Sequence, residues 1–344
     1  MSKWTSFKNQ GILFENWREF ANEQEERPQS PEKSTQSDAA VAKQLSRAYS
    51  AGPEGVRAFM DSAEGRDPKV RQFLHKSDEG DRVSVSGIGS APLKGITPTQ
   101  KYIDLMQSVS YPLGTAESLK AAITSKKGHG PISISGEYVL DGHHRWASQY
   151  AITPDGTISA TNIELPGNAS QKLASLQLAI AAIDPNLNDP HPSKGGGAAT
   201  NILGAGAEDI YQKIVANINE HPDTEAPGPL LNDSMMSDIV KTQDPVILQW
   251  AGLEPGQAKD PQAVRLAIAK KVAINLADLP DYAADAPDRP DMPQLDHPSI
   301  GGAKGYQKIK SRLATGDLNV VPPFAQTAES IKHRGKRIKV KRKK

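Results

Sequence analysis

Apolar residues recur at helical spacing over most of the chain and alternate with polar ones only in a middle stretch. Leu13, Trp17 and Phe20 share one face, with Lys8, Glu15, Arg18 and Glu19 on the other, which predicts an amphipathic helix within residues 3–24. Glu23 to Asp38, rich in Glu, Gln, Ser and Pro, reads as a flexible linker. Helix patterns opened by Asp or Pro follow at Asp38–Ala51, Pro53–Ser62 and Asp67–Lys76. Residues 82–87 alternate like a strand. Ile103, Leu105, Met106 and Val109 predict a helix after Pro98, and Thr115 caps another through Lys127. Ile132 and Ile134 alternate with Ser133 and Ser135, the pattern of a half-buried strand; Gly136 turns the chain and Tyr138-Val139-Leu140 returns it. Thr157 to Ile163 supplies a further strand. Asn168 or Ser170 opens a helix through Ile183, and Pro185 to Ala199 is a loop. Helical patterns resume at Ala207–Asn219, Ser234–Val240, Asp244–Ala251 and Pro261–Leu279.

This order predicts an α+β protein. A small mixed α/β core spans residues 80–167, preceded by a helical segment at 38–79 and followed by a helical domain at 168–279. Residues 1–37 hold the first helix and linker, 280–331 an extended Pro/Asp-rich strap, and 332–344 a basic tail expected to be disordered.

Composition narrows the function classes. The formal charge is +1, so no overall field draws the protein to nucleic acid or membrane; the charge is segregated instead, with nine Lys or Arg in the tail. The absence of cysteine excludes disulfides and thiolate catalysis. No apolar run reaches membrane-spanning length and the polar N-terminus lacks a signal-peptide core, so a protein without membrane contact is expected. Apart from His143 and His144, the histidines are scattered without metal-ligand spacing.

The chemistry gathers at Asp141-Gly142-His143-His144-Arg145. Asp141 is expected to cap a helix starting near His143, and Gly142 to allow a sharp turn and close approach of a ligand. Helix N-terminal N–H groups, two imidazoles and a guanidinium then share a small volume suited to phosphate. Adjacent side chains on a helix point about 100° apart. His144 and Arg145 are therefore the favoured ligand pair, and His143 has the plain alternative of being buried and hydrogen-bonded.

Val139 to Ala147, with Ile96-Thr97-Pro98-Thr99-Gln100 upstream, resembles the signature of the ParB/sulfiredoxin superfamily over residues 80–167. The Pro-Thr-Gln element is similar to that of phage ParB-like proteins. The resemblance implies a ParB/sulfiredoxin-like core binding ATP or CTP with Mg²⁺ through Gly142, His144, Arg145, Thr99 and Gln100. It assigns catalytic roles to Asp141, His143 and His144, as in a nuclease or a nucleotide hydrolase or kinase, and a place in host cytoplasm with the virion as a further one. Sulfiredoxin activity is excluded because its cysteine is missing. Free serine kinases of the superfamily use a glutamate near the position of Gln100, and an amide cannot take a proton at neutral pH. Kinase activity would then fall to Glu137 or Asp104.

Two partners complete the expectation. Lys336, Arg337, Lys339, Lys341 and Arg342 would neutralise phosphates on DNA without base stacking. The N-terminal helix would dock on another virion protein. The competing class is a non-enzymatic virion or interaction protein whose pocket is vestigial.

Overall fold

The computed structural model describes residues 36–75, 83–124, 130–184, 200–220, 230–288, 291–293, 295, 302–322 and 324. The N-terminal helix, the 185–199 loop and the basic tail with its five named cations lie outside these residues.

In chain order the described elements begin with helices α1 (Asp38–Ser50), α2 (Gly52–Asp61) and α3 (Pro68–Leu74). Strands β1 (Val85–Pro92) and β2 (Thr97–Pro98), then helices α4 (Leu105–Val109) and α5 (Ala116–Thr124), lead to the hairpin β3 (Ile132–Ser135) and β4 (Tyr138–Asp141). Helix α6 (His143–Ile152) and strand β5 (Thr157–Ile163) complete the core. Six helices follow: α7 (Ala169–Ile183), α8 (Ala207–Glu220), α9 (Asp233–Thr242), α10 (Pro245–Trp250), α11 (Pro261–Ala277) and α12 (Gly302–Thr315). The fold is α+β.

Capping explains many helix starts. The side chains of Asn168, Asn232, Asp244 and Asp260 each accept a first-turn N–H, and Asn168 with Gln171 forms a reciprocal capping box. Helix α12 corrects the expectation of an extended strap through residue 331. Tyr306, Ile309 and Leu313 recur at helical spacing and are buried, a period masked by the Pro- and Asp-rich residues before it.

The sheet has the order β1-β5-β3-β4-β2. β3 runs antiparallel to β4 and parallel to β5, so it lies at the centre. One face carries Ile132, Ile134, Val139, Ile158 and Ala160 into a cluster with Trp146 and Tyr150 of α6 and the apolar faces of α8 to α11. The other carries Leu140 and Ile163 into a second cluster, with α1 to α3, α7 and α12. The central strands are therefore covered on both sides, whereas the outer strand β1 is largely exposed. The first cluster takes residues from two of the segments into which the sequence divides the chain, and the second from four.

This double cover overturns the reading of β3 as half-buried. Ser133 and Ser135 are 2 % and 0 % exposed, because α7 and α12 supply polar partners above them. Among the described residues no helix is long and apolar enough to cross a membrane.

Candidate functional site

The hairpin and helix that open the site follow from local chemistry. Gly136 takes φ 61° in the β3–β4 turn, and Gly142 takes φ 89°, the left-handed conformation that favours glycine. Ser133 faces Asp141 while Ile134 faces Val139, so β4 carries one extra residue, Leu140, in that interval. The turn then delivers α6 at the end of the strand.

The N-cap is Gly142, and no side chain caps the helix, a correction to the expected role of Asp141. Its carboxylate instead accepts from the Arg145 guanidinium at 2.8 Å, an i, i+4 pair with the two side chains 27 % and 38 % exposed. The first backbone bond within the helix is Trp146 N–H to Gly142 O. The earlier N–H groups have no acceptor within the helix and form its electropositive end.

The three side chains after Gly142 engage three different places. His143 is buried, and its Nε2 accepts the Thr99 N–H at 3.2 Å. An accepting Nε2 carries no proton, which places the ring proton on Nδ1. His144 Nε2 accepts the Asp104 N–H at 3.2 Å. Arg145 turns back to Asp141. This fan follows from the 100° step between successive helical residues.

Thr99 is fully buried and donates its hydroxyl to Val139 O at 2.5 Å, so it ties the loop after β2 to β4. Gln100 is nearly as buried, and its amide donates to Tyr102 O. Asp104 caps α4 by accepting Gln107 N–H at 2.8 Å. Glu137 stands at the far end of β4 from Asp141, four residues or roughly 13 Å away at extended spacing. Asp104 thus adjoins the turn through its backbone and spends a carboxylate oxygen on the α4 cap, whereas Glu137 stands away from the turn. Thr99 and His143 thus tie the start of α6 to the loop after β2, Gln100 is held within that loop, and Asp141, Gly142 and Arg145 meet at the turn.

Helix α12 reaches the same edge from the other side of the sheet, and the sequence reading missed it. The Tyr306 hydroxyl donates to Ser133 Oγ. Burial pushes its phenol above the ordinary range, and the Asp141 charge adds to this. Lys310 Nζ lies 4.7 Å from the Tyr306 ring centroid. Burial lowers its ammonium pKa; Asp141 opposes that shift and Arg145 adds to it, so Lys310 belongs to the same electrostatic neighbourhood. The signal for α12 was its own apolar period; that it closes on this edge was invisible in one dimension.

A second polar node lies under α7. Lys172, 9 % exposed, donates to Ser135 Oγ at 3.1 Å and to Leu165 O, with its Nζ 6.0 Å from the Tyr138 ring centroid. Burial lowers its pKa, and Glu137 partly restores it.

No group of three or more His, Asp or Glu side chains among the described residues is arranged to hold a metal ion. Asp141 alone, already paired with Arg145, offers a poor protein cage for Mg²⁺, which commonly takes its remaining ligands from substrate phosphates and water. No family model matches the chain, and no curated protein or solved structure matches it either.

Proposed function

We propose that the protein is a ParB/sulfiredoxin-like binding module that holds a phosphate group, borne by a nucleotide or by nucleic acid, at the N-terminal end of α6. One observation carries this reading. A left-handed glycine starts a helix that no side chain caps, and the Arg145 guanidinium stands beside that start. Backbone N–H groups and a guanidinium together match the oxygens of a phosphate.

Binding is the part of the reading that this geometry supports. The imidazoles that would supply acid or base each use Nε2 to accept a backbone N–H. His143 and Thr99 are positioning residues that fix where α6 begins.

A second reading has its own support: the Asp141 carboxylate already occupies Arg145, as in a turn that satisfies itself. In that case the module is a non-enzymatic interaction protein, with the basic tail as its contact with DNA.

Calorimetric titration of the full chain with ATP, CTP and inorganic phosphate, with and without Mg²⁺, separates the two. Binding by the wild type, weakened about 10-fold or more in Arg145→Ala, is expected from loss of a charge-assisted contact. Asp141→Asn should bind more tightly, because the competing anion is gone. Absence of heat from all three ligands overturns the phosphate reading in favour of the interaction protein.

A further inference from the structure

The two edges of the sheet are finished differently. β2 is two residues long and is closed by the chain itself. The Ala283 N–H donates to Pro98 O, and Asp288 of the same passing segment pairs with Lys101 at 2.7 Å. β1 is eight residues long and, among the described residues, pairs with β5 alone. Ser86 through Ser90 are all exposed.

Register fixes which backbone groups of β1 face outward. The Leu93 N–H donates to Gly156 O, one step beyond the Pro92–Thr157 pair, so Leu93 faces β5. In an antiparallel ladder the N–H and C=O of one residue point the same way, and successive residues alternate. Ala91 and Gly89 therefore also face β5, while the N–H and C=O of Ser90 and Ile88 point away from the sheet. Such a row is a template for another strand, and proteins commonly blunt it with charged side chains. β1 carries no charge from Val85 to Pro92. Ala91 enters the apolar cluster on the α6 face, so Ile88 lies on the opposite face, 69 % exposed at the open edge.

We infer that β1 pairs antiparallel with β1 of a second copy of this chain, about a two-fold axis at Gly89. A two-fold contact sets a patch against itself, so like charges near the axis oppose it; β1 has none. A charged peptide, by contrast, finds no opposite charge on this strand. The register follows from the outward groups. With the axis at Gly89, Ile88 exchanges both backbone bonds with Ser90 of the second copy, and Ser90 with its Ile88. An axis at Ile88 sets Ser90 against Ser86, where the β1 ladder is irregular. An axis at Ser90 sets Ile88 against Pro92, which has no N–H. At Gly89 the two strands approach most closely, and glycine brings no side chain to collide there. The two Ile88 side chains lie diagonally across the join on one face, within reach of each other. Two strands separate β1 from β4, so the contact leaves the α6 turn free and is independent of the phosphate reading.

Sedimentation velocity of the full chain over the micromolar range tests the inference. Ser90→Pro removes one outward N–H from each copy and leaves the β5 ladder whole. Ile88→Lys and Ile88→Glu each set two like charges across the join. Thermal unfolding, at concentrations where the wild type is monomeric, verifies that all three variants fold. The wild type is expected to show a monomer–dimer equilibrium, weakened about 10-fold or more in each variant. An equimolar mixture of Ile88→Lys and Ile88→Glu should recover the dimer, because opposite charges then meet. A dimer equally stable in Ser90→Pro and Ile88→Lys overturns the inference, as does a mixture no more dimeric than its components. A wild type that stays monomeric at every concentration also overturns it and leaves the edge to a strand from another protein.

Discussion

Toward α6 and α11 the sheet presents Ile132, Ile134, Val139, Ile158 and Ala160, whereas toward α7 and α12 it presents Ser133, Ser135 and Thr161 beside Leu140 and Ile163. Both faces are covered, and the three polar residues of the second are 2 %, 0 % and 5 % exposed. A covered polar residue needs a partner, since an unmade hydrogen bond there costs about 1–3 kcal/mol. Each serine on this face has one from a helix: Tyr306 on Ser133, and Lys172 on Ser135. The first face is held together by apolar packing and the second by specific pairs. The candidate chemistry gathers where the paired face meets the α6 turn.

The contrast can be broken most severely on the apolar face. Trp146 is fully buried, stacks edge-on against Tyr150 at 5.7 Å and donates to Leu93 O at 3.3 Å. Trp146→Ala should cost about 3–5 kcal/mol in urea unfolding. At the junction of the faces, Gly142→Ala places a Cβ 2.8 Å from Ile132 Cγ2 and 2.9 Å from the Arg145 guanidinium, at φ 89°. A loss of about 1–3 kcal/mol is expected in thermal unfolding, with weaker phosphate binding because Arg145 must move.

On the paired face the effects are smaller and non-additive. Ser133→Ala should cost about 1–2 kcal/mol by leaving the buried Tyr306 hydroxyl without its acceptor. The double variant Ser133→Ala, Tyr306→Phe should recover part of that loss, since both polar groups are then gone. A double variant less stable than either single one would show that the two faces are not distinguished by pairing.

Lys172 gives the smallest effect and a pH signature. Its pKa in the folded protein lies below the ordinary lysine value, so folding disfavours its charged form. That penalty is complete below the folded pKa and diminishes as pH rises through it toward the unfolded value. Wild-type stability should therefore gain on moving into the alkaline range. Lys172→Met should stay within about 1 kcal/mol of wild type at neutral pH and lose that alkaline gain, as followed by urea unfolding across pH. An identical pH slope in both proteins would contradict the assignment.

Much of the α6 turn was legible because its causes are local. The Ile-Ser alternation, the Gly136 turn and the left-handed Gly142 act within a few residues of themselves, as do the caps Asn168, Asp244 and Asp260. Fanning of His143, His144 and Arg145 was implicit in the helical step, although their acceptors and donors were not. Asp141 was misjudged as a cap because a carboxylate before a helix has two local outlets, the N–H groups and an Arg at i+4, and here the second holds it.

The sequence by itself determined most of the helical and strand segments, though not α12 or the short β2, and where most helices start. Periodicity and capping are short-range properties, so they survive in one dimension. Tertiary structure alone decided that Ser133 and Ser135 are buried, that α12 returns to the sheet about 160 residues after the turn, and that Tyr306 meets Ser133 there. The reason is that alternation marks which residues share a strand face, whereas whether that face meets water depends on helices far away in sequence.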